Sequence, residues 1–197
     1  MPTRTEITAA ALAAARARGW PLFTGNGFLC REAMTQAGEP GRVAVLPLHG
    51  GMGLAGGVAA GYLLGGAASG AVILEGDGNH LMGWSCAQLT GSLDLDVLHI
   101  VAVNGLYEST GGQPVPFAPD PGQAATAAGL LGYSRGAAAR SSAELHAALD
   151  DDVPGSALVY VVQEQPDAVP PRSGYCTADY ADALGKAAAR QRPGHDQ

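Results

Sequence analysis

Basic residues are scarce in this chain. Lys and Arg number 11 against 18 Asp and Glu, a formal net charge of −7 with an isoelectric point near 5.0. No basic face is available to neutralise a run of phosphates, which argues against a nucleic-acid partner. Cysteine is scarcer still: Cys30, Cys86 and Cys176 are far apart, odd in number and form no C-x-x-C pair. That usage suits a reducing cytosol better than a disulfide framework. The first six residues lack the apolar core of a signal peptide. Long apolar runs are missing too. The best candidate, 54–68, is interrupted by glycines and too short for a membrane span, so it reads as a buried helix. A soluble, cytoplasmic protein without membrane contact is expected, and 197 residues suffice for one domain with a sizeable core.

Glycine, by contrast, is abundant. Its 29 residues are roughly twice the usual share and concentrate at 50–66, 76–83 and 105–112. Glycine clustered at strand-to-helix turns means backbone pressed close to something. Tight helix packing could explain the first cluster but not all three.

Alternating patterns run the length of the chain. Helices are expected at 5–18, 28–36, 53–68, 81–91, 122–130, 141–150 and 177–190, and strands at 20–24, 42–48, 71–75, 97–103, 132–137 and 156–163. Residues 105–122 form a long Gly- and Pro-rich loop, a length that is usually functional. Such alternation implies an α/β fold: a single doubly wound parallel sheet with helices on both faces. One domain over 1–189 is expected, followed by a disordered tail at 190–197.

Two strand ends carry ligand chemistry. The apolar run 71–74 leads into Gly76-Asp77-Gly78-Asn79, and 97–103 leads into Asn104, 27 positions after Asp77 (104 − 77). Strand ends of a parallel sheet open onto the ligand crevice. An acid and an amide there offer oxygens to a hard cation, and the flanking glycines let backbone amides approach a phosphate. A competing reading exists. Gly51-Met52-Gly53-Leu54-Ala55-Gly56 matches G-x-G-x-x-G, with Glu75 placed 19 positions beyond Gly56 (75 − 56) to hold a ribose, as in an NAD- or FAD-binding Rossmann domain. That reading leaves GDGN and Asn104 unexplained.

Together GGMG at 50–53, GDGN at 76–79 and NGLYESTGGQP at 104–114 resemble the diphosphate-binding domain of thiamine-diphosphate enzymes. The likeness is greatest to the small (beta) subunits of sulfopyruvate decarboxylase and the related phosphonopyruvate decarboxylases. The resemblance implies that Asp77 and Asn104 coordinate Mg2+ together with the carbonyl of Leu106, diphosphate oxygens and water completing the octahedron. It implies that Gly76, Gly78, Asn79 and Tyr107 border the diphosphate, and that Asn26 and Gly27 touch it from the first strand end. It places Met52 as the wedge that holds the bent cofactor, with Gly50 offering its carbonyl to the aminopyrimidine and Gly51 beside it. Glu108, Thr110 and Gln113 become candidates for the substrate head group, and His49 and His80 candidates for catalysis.

The resemblance also implies what this chain would need. The glutamate that activates the cofactor belongs, in that family, to a separate pyrimidine-binding domain, and nothing resembling one fits in these 197 residues. A pyrimidine-binding alpha subunit is therefore expected, in an alpha2beta2 or higher assembly acting on a small 2-keto acid. A carboligase subunit using another 2-keto acid and a non-catalytic scaffold are the alternatives. Two departures stand out. Val103 precedes a single Asn104 where relatives commonly carry two asparagines, but the metal ligand is the second of those positions, so coordination is expected to survive. His80 and Trp84 stand where relatives have small or aliphatic residues, which bears on the substrate.

Overall fold

The computed structural model describes residues 1–116, 119–151, 154–165 and 168–191. In chain order it comprises α1 (Arg4–Arg18), β1 (Leu22–Thr24), α2 (Phe28–Ala37), β2 (Val45–Pro47), α3 (Ala55–Leu64), β3 (Gly70–Gly76), α4 (Asp77–Met82), α5 (Trp84–Ser92) and β4 (Asp96–Val103). A small hairpin of β5 (Leu106–Tyr107) and β6 (Gln113–Pro114) follows. The chain then continues through α6 (Ala124–Leu131), β7 (Arg135–Ala139), α7 (Ser142–Leu149), β8 (Ser156–Val162) and α8 (Thr177–Gln191).

Six strands form one parallel sheet in the order β2-β1-β3-β4-β8-β7. The alternating pattern of the sequence therefore builds the α/β architecture it implies. Period-two alternation splits each central strand between two cores. Val72 and Leu74 of β3, with Leu98 and Ile100 of β4, pack against α1, α2 and α7. Ala71, Ile73 and Val97 meet α3 on the other face, and Val101, Leu158 and Tyr160 meet α5 and α6. α8 covers β2 at the sheet edge, burying Tyr180 in one core and Leu184 in another, and so shields an edge that could pair with another chain.

Several boundaries differ from the sequence pattern. The expected helix at 81–91 is two helices, α4 and α5, broken at Gly83. Gly53, at φ +75°, lies against that break: a Cβ on it would come within 2.5 Å of the Gly83 amide nitrogen. The backbone contact ends α4 and delays α3 to Ala55 instead of residue 53. Within the expected 105–122 loop, the described residues form the β5–β6 hairpin and two short 3-10 turns at Glu108–Thr110 and Pro121–Gln123. α8 extends to Gln191, two residues into the expected tail, and the remainder of that tail, 192–197, lies outside the described residues. Among the described residues no helix is long and apolar enough to cross a membrane.

Candidate cofactor and metal site

The chain runs from β1 outward to β2 and then returns to β3 on the opposite side of β1, so the winding reverses between β1 and β3. Ligands of open α/β sheets bind at such reversals, beyond the carboxyl ends of the strands. A cavity of about 480 Å3 lies there. Its walls include Asn26 and Gly27 after β1, Gly76, Asp77, Gly78 and Asn79 after β3, and Asn104, Leu106, Tyr107 and Glu108 after β4. Met52, Ser109, Thr110, Gln113 and Gln163 also contribute.

Asp77 is 1% exposed, and its carboxylate is fixed by backbone donors. Gly78 N–H donates to Oδ1 at 2.8 Å, while Asn104 N–H and Gly105 N–H donate to Oδ2 at 3.1 and 2.6 Å. The turns after β3 and β4 are thereby joined through one side chain. Burial pushes the Asp77 pKa up, against the pull of these backbone hydrogen bonds. Among the described residues no cationic side chain forms an ion pair with Asp77; the one buried arginine facing the cavity, Arg4, places its guanidinium on Glu108 at 3.0 Å. A buried, backbone-oriented carboxylate without a cationic side chain fits a bound divalent ion. The Asn104 carboxamide sits beside it, its oxygen accepting from Leu106 N–H at 2.9 Å and its nitrogen donating to Glu108 at 3.3 Å.

Glycine shapes the rest of the cradle. A Cβ on Gly78 would strike the Tyr107 ring at 2.5 Å, and one on Gly25 would meet the Asn79 amide oxygen at 2.7 Å. Asn79 does more than begin a helix. Its Oδ1 accepts from Asn26 N–H at 3.2 Å and Gly53 N–H at 3.3 Å, and its Nδ2 donates to the Asn26 carbonyl at 3.4 Å. One amide thus ties together the loops after β1, β2 and β3.

Other sequence candidates separate. Gly50, Gly51, His49 and His80 do not line this cavity. His49 is exposed, contacts Met34 Sδ at 2.8 Å through Nε2, and borders a different cavity with Arg31, Arg172 and Tyr175. His80 is fully buried, with Nδ1 3.1 Å from Glu75 Oε1 and Nε2 3.1 Å from Tyr160 Oη. Glu108 lines the cavity but is engaged by Arg4 Nη1 through both carboxylate oxygens, at 3.1 and 3.0 Å. Thr110 and Gln113 are exposed on the cavity wall, Gln113 donating to the Thr110 carbonyl at 3.2 Å.

The dinucleotide reading does not survive this geometry. Glu75, the would-be ribose ligand, is 2% exposed and bonded to His80 and His99. Gly56 packs its backbone against Cys86 and Thr90 of α5, where a Cβ would approach Thr90 Oγ1 to 3.0 Å. These glycines serve helix packing, the plainer of the two explanations. Sequence reasoning missed Arg4 and Gln163. Arg4 is a single arginine opening an alanine-rich helix, 104 positions from its carboxylate partner, so only the fold joins them.

Residues 26–162 match the family of thiamine pyrophosphate enzymes, C-terminal TPP-binding domain. Two solved structures are similar in fold. One is a protein assigned as a thiamin diphosphate-dependent enzyme from Mycobacterium smegmatis, with a TM-score of 0.54 at 19% identity. The match covers 81% of this chain and 32% of that one, so the present chain spans about a third of that protein's length. The other is the 2-oxoglutarate:ferredoxin oxidoreductase from Magnetococcus marinus, with a TM-score of 0.58 at 18% identity, covering 96% of this chain and 75% of that one. No curated protein sequence matches.

Proposed function

This chain belongs to the thiamine pyrophosphate enzymes' C-terminal TPP-binding domain family, and from that premise we propose that it is the small subunit of a two-component thiamine-diphosphate-dependent 2-keto acid decarboxylase. The observation that carries the proposal is the buried Asp77 carboxylate, aimed by three backbone N–H groups beside the Asn104 side chain at the floor of the strand-end cavity. Asp77, Asn104 and the Leu106 carbonyl would hold Mg2+, and the glycine-lined turn at 76–78 would admit the diphosphate. Met52 forms the wall against which the bent cofactor would rest. When bound, thiamine diphosphate supplies the electron sink that lets a 2-keto acid lose carbon dioxide.

The chain's own residues then position and exclude. The Arg4–Glu108 pair closes one side of the cavity, and Thr110 and Gln113 present a hydroxyl and an amide to the head group of a sulfopyruvate- or phosphonopyruvate-like substrate. The glutamate that activates the cofactor would come from a pyrimidine-binding alpha subunit, in an alpha2beta2 or larger assembly. Exposed apolar side chains support such docking: Met82, on the cavity wall, is 64% exposed, and Leu54 and Trp84, each within two residues of a wall residue, are 50% and 42% exposed; apolar surface of this kind marks interaction sites. A second reading makes the chain part of a 2-keto acid oxidoreductase, as in the Magnetococcus neighbour that matches it over 96% of its length.

Thermal unfolding and carbon dioxide release test both readings. Thiamine diphosphate with Mg2+ is expected to raise the melting temperature of the wild type and not of D77A. Release of carbon dioxide from sulfopyruvate or phosphonopyruvate is expected only after the partner is added, without an electron acceptor. A requirement for an acceptor would select the oxidoreductase reading. No thermal shift and no co-purifying chain would overturn the subunit proposal.

A further inference from the structure

A second group of ligand-type side chains lies outside the cavity, on the opposite parity of the same strands. Glu75 and His99 project from β3 and β4 onto the face that carries α5 and α6, where the register sets His99 opposite Ile73, two residues before Glu75. His80 reaches the same point from α4. All three are buried, and their ligand atoms lie within 4.8 Å of one another. Glu75 Oε1 is 3.1 Å from His80 Nδ1 and 2.9 Å from His99 Nε2. None of the three lines the cavity that holds Asp77 and Asn104.

We propose that Glu75, His80 and His99 bind a first-row transition-metal ion of the Zn(II) class at a buried structural site, distinct from the Mg2+ position. Two imidazole nitrogens and a carboxylate form a donor set common to such ions. Tetrahedral ligands bonded at ~2.0–2.1 Å stand roughly 3.3 Å apart, so the two carboxylate–imidazole distances need to open by only a few tenths of an ångström. Glu75 Oε2 is buried and has no hydrogen-bond partner; a bidentate carboxylate would bring it to the ion as a fourth donor, distorting the tetrahedron through the narrow bite of one carboxylate. Metal-bound histidines almost always donate their other ring N–H to a polar atom that fixes the tautomer. Such an atom is present for each: Tyr133 Oη at 2.6 Å from His99 Nδ1, and Tyr160 Oη at 3.1 Å from His80 Nε2.

Without an ion, the inner nitrogens of both imidazoles face Oε1, and Oε2 stays unpartnered. With the ion, the inner nitrogens coordinate, the outer N–H groups donate to the tyrosine oxygens, and both carboxylate oxygens are used. No water or substrate reaches a site enclosed in this way, so its effect would be structural. It would clamp β3, β4 and α4 and thereby hold the Gly76–Asn79 turn. A site so enclosed would be filled as the chain folds.

Metal content and Co(II) substitution test the site on the full chain. Wild-type protein, folded with Zn(II) and dialysed against excess Mg2+, is expected to retain one zinc per chain by elemental analysis. Co(II) loaded in its place is expected to give the visible absorption of a four-coordinate ion and to quench Trp84, whose ring lies 5.5 Å from that of His80. D77N should keep the ion and H99N should lose it. Should H99N fail to fold, Y133F retains every ligand and is expected to bind the ion about 10-fold more weakly. Wild-type protein with less than about a tenth of an equivalent and no Co(II) band overturns the site, because a structural zinc site holds its ion stoichiometrically. Retention by folded H99N, unchanged affinity in Y133F, or loss in D77N overturns it as well.

Discussion

Single side chains at the strand ends do more joining than their sequence context suggests. Asn79 satisfies two backbone donors and one carbonyl on two other loops while only 7% exposed. Replacing it with Ala leaves those groups unpaired, and a loss of about 1–3 kcal/mol is expected, read as a lower denaturant midpoint at unchanged slope. Arg4 is comparable. Its guanidinium, 1% exposed, bonds Glu108 and the Ala168 carbonyl and stacks over Phe28 at 5.3 Å. Arg4→Met would leave a partly buried carboxylate on the cavity wall, and a cost of about 1–3 kcal/mol is expected by the same measurement. The sequence pointed to Asp77, Asn104 and the glycines because strand ends and turn chemistry are local signals. Arg4 carries no such signal, and neither its pairing with Glu108 nor that of Asn79 with Asn26 or Gly53 follows from spacing. Those contacts exist only once the sheet has set the loops side by side.

Elements explain which titratable groups are buried together. The parity of β3, β4 and β8 that builds one apolar core also delivers Glu75, His99 and Tyr160 to it. Burial would raise the Glu75 carboxyl, but the hydrogen bonds from His80 and His99 outweigh it and hold the group down at about 2. Burial lowers His99 below its usual 6.5, against the pull of Glu75. Both groups bind protons more readily in the unfolded chain, so stability rises with pH between about 2 and 4.5 from Glu75 and again just below 6.5 from His99. Asp77, raised by burial, acts in the opposite sense just above 3.8. For the metal-free chain, a melting temperature that falls as pH drops below 6.5 is expected, with the fall reduced in H99N. Strand and helix identities were legible from apolar periodicity over 71–74 and 97–101. The α4–α5 break was not, because it depends on Gly53 and Gly83 meeting across two loops. Gly53→Ala adds a positive-φ penalty and a backbone clash there, and a destabilisation of about 2 kcal/mol or more is expected in equilibrium unfolding.

At the scale of the whole molecule, a doubly wound sheet with a crevice at its winding reversal is proposed to hold half of a thiamine-diphosphate site. The Mg-diphosphate half is proposed for Asp77 and Asn104, and the activating half for a partner that would dock around Met82 and Trp84. Exchanging Met82, 64% exposed, for Glu is expected to abolish co-purification of that partner while leaving the melting temperature of the isolated chain within a degree or so, as for surface substitutions generally. The identity of the metal ligands rests on one claim, that the buried Asp77 carboxylate is complemented by Mg2+ and not by a proton or a side chain. Isothermal titration of thiamine diphosphate into this chain, with Mg2+ and then with a chelator, measures that claim directly. We expect one binding event per chain that requires Mg2+, weakens by 100-fold or more in D77A (about 2.7 kcal/mol), and weakens as pH falls through the raised Asp77 pKa. Binding of equal strength in the chelator or in D77A would contradict it.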